Sequence, residues 1–143
     1  MSGGPLIVGV GNADRGDDAA GVLVVRRLRG FRTAELSDCT DLFELWSDEE
    51  DVVVIDAMVT GAPVGSIRRF EVGAFTLPIG AFQSTHAFGL AETVELARAL
   101  GKLPAKLTIF GIEAGGVGLG EPLSPDVEHA IDALVGELEA VVA

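Results

Sequence analysis

The chain has 143 residues, the size of one domain with one hydrophobic core, and pairs 48% apolar with 22% charged residues. No apolar run approaches the ~20 residues of a membrane-spanning helix, and no repeat or low-complexity tract divides the chain. A formal net charge of -12 argues against unaided binding to phosphate backbones and anionic membranes, both of which need a basic patch; a basic partner surface suits it better, with solubility alone as the other reading of the acidity.

In chain order, Met1-Ser2-Gly3-Gly4 passes into Leu6-Ile7-Val8-Gly9-Val10, a first strand. Without a basic start, apolar stretch and cleavage site, the protein is expected to stay in the cytoplasm. Helical spacing follows at Ala19, Val22, Leu23 and Arg26 to Leu28, then a weak edge strand at Ala34-Glu35-Leu36. Leu42, Leu45 and Trp46 mark a second helix, and Val52-Val53-Val54-Ile55 a central strand covered on both faces. Gly65 to Val72 alternates as a half-exposed strand does. Leu90, Ala91, Val94, Ala97 and Leu100 share a helical face, and Leu107-Thr108-Ile109-Phe110 is another central strand. The last helix starts with Ser124 as N-cap and Pro125 in its first position, with Val127, Ala130, Ile131, Leu134, Leu138 and Val141 on one face.

This alternation predicts a single α/β domain over residues 1–143: a three-layer α/β/α sandwich around a five-stranded, mainly parallel but mixed sheet with right-handed crossovers. Two long connections, Gly73 to Gln83 and Glu113 to Leu123, have the length of functional loops.

In open α/β sheets, ligands bind at the carboxyl ends of the strands, where loop side chains and helix N-termini converge. The polar residues expected there are Asp14, Asp17 and Asp18 after the first strand, Asp38 and Cys39 after the second, Asp56 after the third, and His86 at the start of the following helix. Asp17 and Asp18 stand at a helix N-terminus, so each also reads as an N-cap or first-turn acid, the favoured reading for Asp17. Asp56 follows four apolar strand residues; its carboxylate is expected to be partly desolvated and to need a cation, a donor or a metal, with a structural contact to a loop as the alternative. An isolated His86 would be a cap or core residue. Beside two carboxylates it completes a set suited to nickel, zinc or iron, among which side chains alone do not choose. His129, within the last helix, is read as a surface residue.

Other chemistries fit poorly. Gly9-Val10-Gly11-Asn12-Ala13-Asp14 begins like a dinucleotide fingerprint, but Asp14 takes the place of the third glycine and would repel a pyrophosphate, so no nucleotide is expected. There is no Walker loop, Gly-x-Ser-x-Gly elbow or His-Glu-x-x-His. Cys39 is the only cysteine, which rules out an internal disulfide and fits a reducing compartment. A Cys39–His86–Asp56 nucleophilic arrangement is the minor alternative to Cys39 as a small buried apolar residue.

Gly9-Val10-Gly11-Asn12 followed by Asp17-Asp18-Ala19-Ala20-Gly21-Val22 resembles the opening of the hydrogenase maturation endopeptidases. So do Ile55-Asp56-Ala57, Ser84-Thr85-His86 with Gly89-Leu90, and Leu119 to Ser124-Pro125, in the same order over nearly the whole chain. The resemblance implies an endopeptidase that removes the C-terminal extension of a nickel-iron hydrogenase large-subunit precursor after nickel insertion. It also implies that Asp18, Asp56 and His86 contact the metal, that the nickel is supplied by the substrate as its recognition signal, and that these residues serve the cleavage. A non-proteolytic metal-binding or scaffold protein on the same fold is the alternative, and a small-molecule hydrolase a third. Two departures stand out. Asp18 replaces a frequent Glu, and Ser37-Asp38-Cys39-Thr40 replaces a frequent Asp-Gly-Gly-Thr, removing two glycines that tolerate positive φ.

Overall fold

The computed structural model of the chain describes residues 4–72 and 89–142, the side chains of 141 and 142 excepted. Among the described residues there are five strands: β1 Leu6–Val10, β2 Arg32–Leu36, β3 Asp51–Met58, β4 Ile67–Val72 and β5 Lys106–Glu113. The helices are α1 Ala20–Arg27, α2 Leu42–Trp46, α3 Leu90–Ala99 and α4 Pro125–Val142, with 3-10 turns at Gly16–Ala19 and Cys39–Asp41 leading into α1 and α2.

The sheet order is β2-β1-β3-β5-β4, parallel except for β4, which pairs antiparallel with β5 from Ile67↔Ile112 to Val72↔Leu107. Burial follows this order. β1 is buried throughout and β3 and β5 at all but their first residue, as their unbroken apolar runs require, whereas β2 and β4 at the edges alternate.

Strand side chains alternate between faces, so each strand feeds two cores. On one face Val8, Val54, Met58 and Ile109 pack against Leu42 and Trp46 of α2, Leu90 and Val94 of α3, and Cys39. On the other, Ile7, Ile55, Phe110 and Ile112 pack against Val24 and Val25 of α1 and Ile131 and Leu134 of α4. Each such buried side chain favours the folded state by roughly 1.5–3 kcal/mol. The result is the expected three-layer α/β/α sandwich with a mixed five-stranded sheet. Ser124 stands at the N-cap position of α4, where its carbonyl accepts the helix's first backbone bond from the Glu128 N–H at 3.0 Å.

Two boundaries differ from the expectation. β3 continues through Met58, because pairing with β5 persists to Met58↔Glu113, so Asp56 lies within the strand and not after it. Glu113 likewise ends β5, and the long connection begins at Ala114. The other long connection, Gly73 to Gln83, and His86 lie outside the described residues. α3 itself begins at Leu90 with Gly89 as its N-cap.

Candidate active site

β1 is flanked by β2 on one side and β3 on the other, and the chain leaves β1 through α1 on one face but leaves β2 through α2 on the other. The strand order therefore reverses between β1 and β3. At such a switch point the connections diverge and open a crevice at the carboxyl ends of the two strands. Asp18, after β1, and Asp56, in β3, belong to its two walls.

The first wall is built by the segment from Gly9 to Gly21. Gly11 has φ +146°, and a Cβ there would collide with the Asp18 carbonyl oxygen. The Asn12 side chain accepts from the Asp14 N–H at 2.9 Å and turns the loop, while the Asn12 N–H donates to Asp18 Oδ2 at 2.9 Å. No side chain caps the 3-10 turn or α1. Asp18 is therefore not spent on capping the helix it precedes; it is half-buried, with one carboxylate oxygen held by the Asn12 N–H. Gly21 lets α1 pass over the strands, since a Cβ there would strike the Ile55 and Val10 carbonyl oxygens.

Asp17 lies in the first turn of the 3-10 segment, in keeping with its sequence reading as a first-turn acid, but its side chain does not cap that turn. It is fully buried, and its carboxylate accepts from the Gly115 N–H at 2.7 Å, the Ser124 N–H at 2.7 Å and the Ser124 hydroxyl at 2.6 Å. Its own N–H donates to the Gly116 carbonyl at 2.7 Å. These partners are 98 and 107 residues away for the carboxylate, so no local pattern could have revealed them. Glu113 was also missed. It is 2% exposed, and its carboxylate accepts from the Thr60 N–H at 2.8 Å and the Thr60 hydroxyl at 2.5 Å, tying the exit of β3 to the end of β5.

Asp56 is 4% exposed. It shares the sheet face of Val52, Val54 and Met58, the face that Cys39 packs on. Burial, and then the negative charge of Asp18, hold its carboxyl well above the usual carboxylate range, against the opposing effect of a hydrogen bond from the Ala57 backbone. No basic side chain pairs with it among the described residues. Two carboxylates close enough to feel each other's charge, with no basic partner for Asp56 among the described residues, have the chemistry of a divalent-ion site, since such an ion would offset both charges. His86, the third member of the set, lies outside the described residues.

Cys39 is completely buried, and its thiol is pushed far up by burial first and then by the charges of Asp56, Asp38, Glu92 and Asp18. A thiol held protonated is a poor nucleophile. Among the described residues no three His, Cys, Asp or Glu side chains gather closely enough to hold a metal ion, so Cys39 does not join Asp18 and Asp56 as a ligand. The Ser37–Thr40 loop, which lacks the two frequent glycines, needs no left-handed residue. Asp38 is extended at φ -141°, and its carboxylate accepts from the Thr40 N–H at 2.9 Å and the Thr40 hydroxyl at 3.0 Å. His129 is exposed on α4, as expected. A cavity of about 200 Å³ lies at the opposite, amino ends of the strands, with Ile7, Phe31, Val53 and Phe110 among its apolar lining and Asp51, Arg69, Lys106 and Glu137 among its charged lining.

A doubly wound α/β domain with paired acids at its switch point defines the class. The model of the hydrogenase maturation protease family matches residues 37–141. The Hydrogenase 2 maturation protease of Escherichia coli K12 is 30% identical over 152 residues, covering 96% of this chain and 89% of that protein. Among solved structures, the hydrogenase maturating endopeptidase HybD from E. coli superposes with a TM-score of 0.76 at 25% identity, covering 96% of this chain and 90% of that one. The [NiFe] hydrogenase maturation protease HybD from Thermococcus kodakarensis gives 0.68 at 26% identity, covering 96% and 98%. The chain belongs to the hydrogenase maturation protease family, a family of peptide-bond hydrolases. No helix among the described residues is long and apolar enough to cross a membrane.

Proposed function

We propose that this chain removes the C-terminal extension of a nickel-iron hydrogenase large-subunit precursor once nickel has been inserted. The nickel carried by the substrate is the recognition element, contacted by Asp18, Asp56 and His86. The observation that carries this reading is Asp56: a buried carboxylate facing the charge of Asp18, with no basic partner among the described residues. Such a group is costly until a cation arrives. A precursor without its metal brings no cation to displace the Asp56 proton, so it gains nothing from these carboxyl groups on docking.

The residues divide the work. Asp56, held in the middle of a paired strand, is a rigid ligand. Asp18 stands on a loop fixed by Asn12 and closes on the ion from the other wall. A divalent ion bound there supplies polarisation of a carbonyl or of a water molecule. The protein holds no other metal in this reading and uses no nucleotide.

The test is to incubate the protein with nickel-loaded and nickel-free precursor and follow the precursor C-terminus by intact mass. The expected result is loss of the extension from the loaded form alone, and none with Asp18→Ala, Asp56→Ala or His86→Ala, each folded. Tight binding of the loaded form without cleavage would leave the non-proteolytic, metal-binding alternative in its place.

A further inference from the structure

Asp17 has no part in the reading above, yet it is the most completely bonded carboxylate of the crevice. A buried carboxylate is tolerated only where donors surround it, and all three donors here come from the connection between β5 and α4. The tie runs both ways, because the Asp17 N–H donates back to Gly116 of the same connection. A second tie lies just upstream, where the Gly120 N–H donates to the Asp14 carbonyl at 2.8 Å. The fit is close: a Cβ at Gly115 would stand 3.3 Å from both Asp17 Oδ2 and Ser124 Oγ.

Asp18 is the next residue in the chain. Its own bonds, from its N–H to the Arg15 carbonyl at 3.0 Å and to its carboxylate from Asn12, stay within the same loop. The Gly11 N–H ties the start of that loop to the Leu36 carbonyl of β2 at 2.9 Å; what fixes the turn around Asp18 against the 114–124 connection is the Asp17 clamp and the Gly120–Asp14 bond. We propose that Asp17 is a positioning residue: by clamping the turn that carries Asp18 to the 114–124 connection, it sets where the Asp18 carboxylate meets the metal of the substrate. This rests on the function proposed above. It assigns a reason for two adjacent aspartates, one facing the crevice and the other turned inward to hold it in place.

The experiment measures the affinity of the wild type, Asp17→Asn and Ser124→Ala for nickel-loaded and nickel-free precursor, with the folded fraction of each followed by circular dichroism. The ratio of the two affinities is the readout. Loss of folded protein lowers both affinities alike and leaves the ratio unmoved. Asp17→Asn is expected to lower the ratio about tenfold or more, the usual loss when a partner that orients a metal ligand is removed. Ser124→Ala, which keeps both backbone donors, should lower it by less. An unchanged ratio in folded Asp17→Asn overturns the proposal. If Asp17→Asn does not fold, Ser124→Ala decides: a lowered ratio supports the clamp and an unchanged one overturns it. A wild type that does not discriminate between the two precursors overturns the proposed function and this inference together, an outcome distinct from a wild type that discriminates beside a variant that does so equally well.

Discussion

Neither simple state of Asp56 serves both the fold and a metal ion. Ionised, it is buried against the charge of Asp18; neutral, it is a weak metal ligand. The raised native pKa gives the metal-free protein a defined pH response. The native state holds the Asp56 proton more tightly than the unfolded chain does. The stability it contributes is therefore fully present below the ordinary aspartate value of about 4, and is lost as pH rises toward the raised native value. Asp56→Asn lacks that loss. In denaturant titrations without metal, the variant should gain on the wild type from pH 5 to pH 7 while losing all processing activity; a gap that stays constant with pH would show that Asp56 ionises freely in the fold. Cys39 provides a second test at this scale. Buried and held protonated, it should react with a thiol reagent far more slowly in the native protein than in denaturant, and Cys39→Ser should leave processing nearly unchanged. Loss of activity in that variant would bring the thiol into the mechanism.

The two faces of the crevice depend on how closely an element can lie against its neighbour. α1 crosses β1 and β3 at Gly21, where the Ile55 and Val10 carbonyls leave no room for a methyl group. The Ile55 carbonyl belongs to the peptide that leads into Asp56, so pushing α1 outward there also disturbs the metal ligand. Gly21→Ala should cost on the order of 1–3 kcal/mol in chemical denaturation and slow processing as well. A substitution without effect on either would mean that α1 has slack over the strands. Spacing in the sequence marked the strands and helices but not their ends. Asp56 interrupts an apolar run and reads as the end of a strand, yet β3 continues because its backbone bonds to β5 are indifferent to the side chain.

At the scale of the whole molecule, the part of the core filled by α4 away from Asp56 is separable from the rim chemistry. Ile131 and Leu134 of α4 fill the core far from Asp56 in sequence, and Ile131 is fully buried. Ile131→Ala should lose about 2–5 kcal/mol while the folded fraction keeps its preference for loaded precursor, measurable by unfolding and binding on the same sample. The charge of -12 acts at long range. If the precursor presents a basic face, its association rate should fall with added salt, because screening shortens steering to roughly 8–10 Å near physiological ionic strength. A rate insensitive to salt in stopped-flow mixing would assign the acidity to solubility alone.

Local pattern was enough for the sandwich, the mixed sheet and the candidates Asp18 and Asp56, since apolar periodicity and the polar residues that interrupt it are properties of neighbours in the chain. The glycines at 9, 11 and 21 and the family resemblance were visible for the same reason. The jobs of Asp17 and Glu113 were not. Asp17 reads as a helix-start acid until Gly115 and Ser124 are brought to it from about a hundred residues away, and Glu113 needs Thr60 from the end of another strand. A carboxylate's role depends on which donors surround it and on how much water is excluded. Only the folded chain decides both: of two adjacent aspartates, Asp17 turns inward as a clamp, and Asp18 stands beside the crevice.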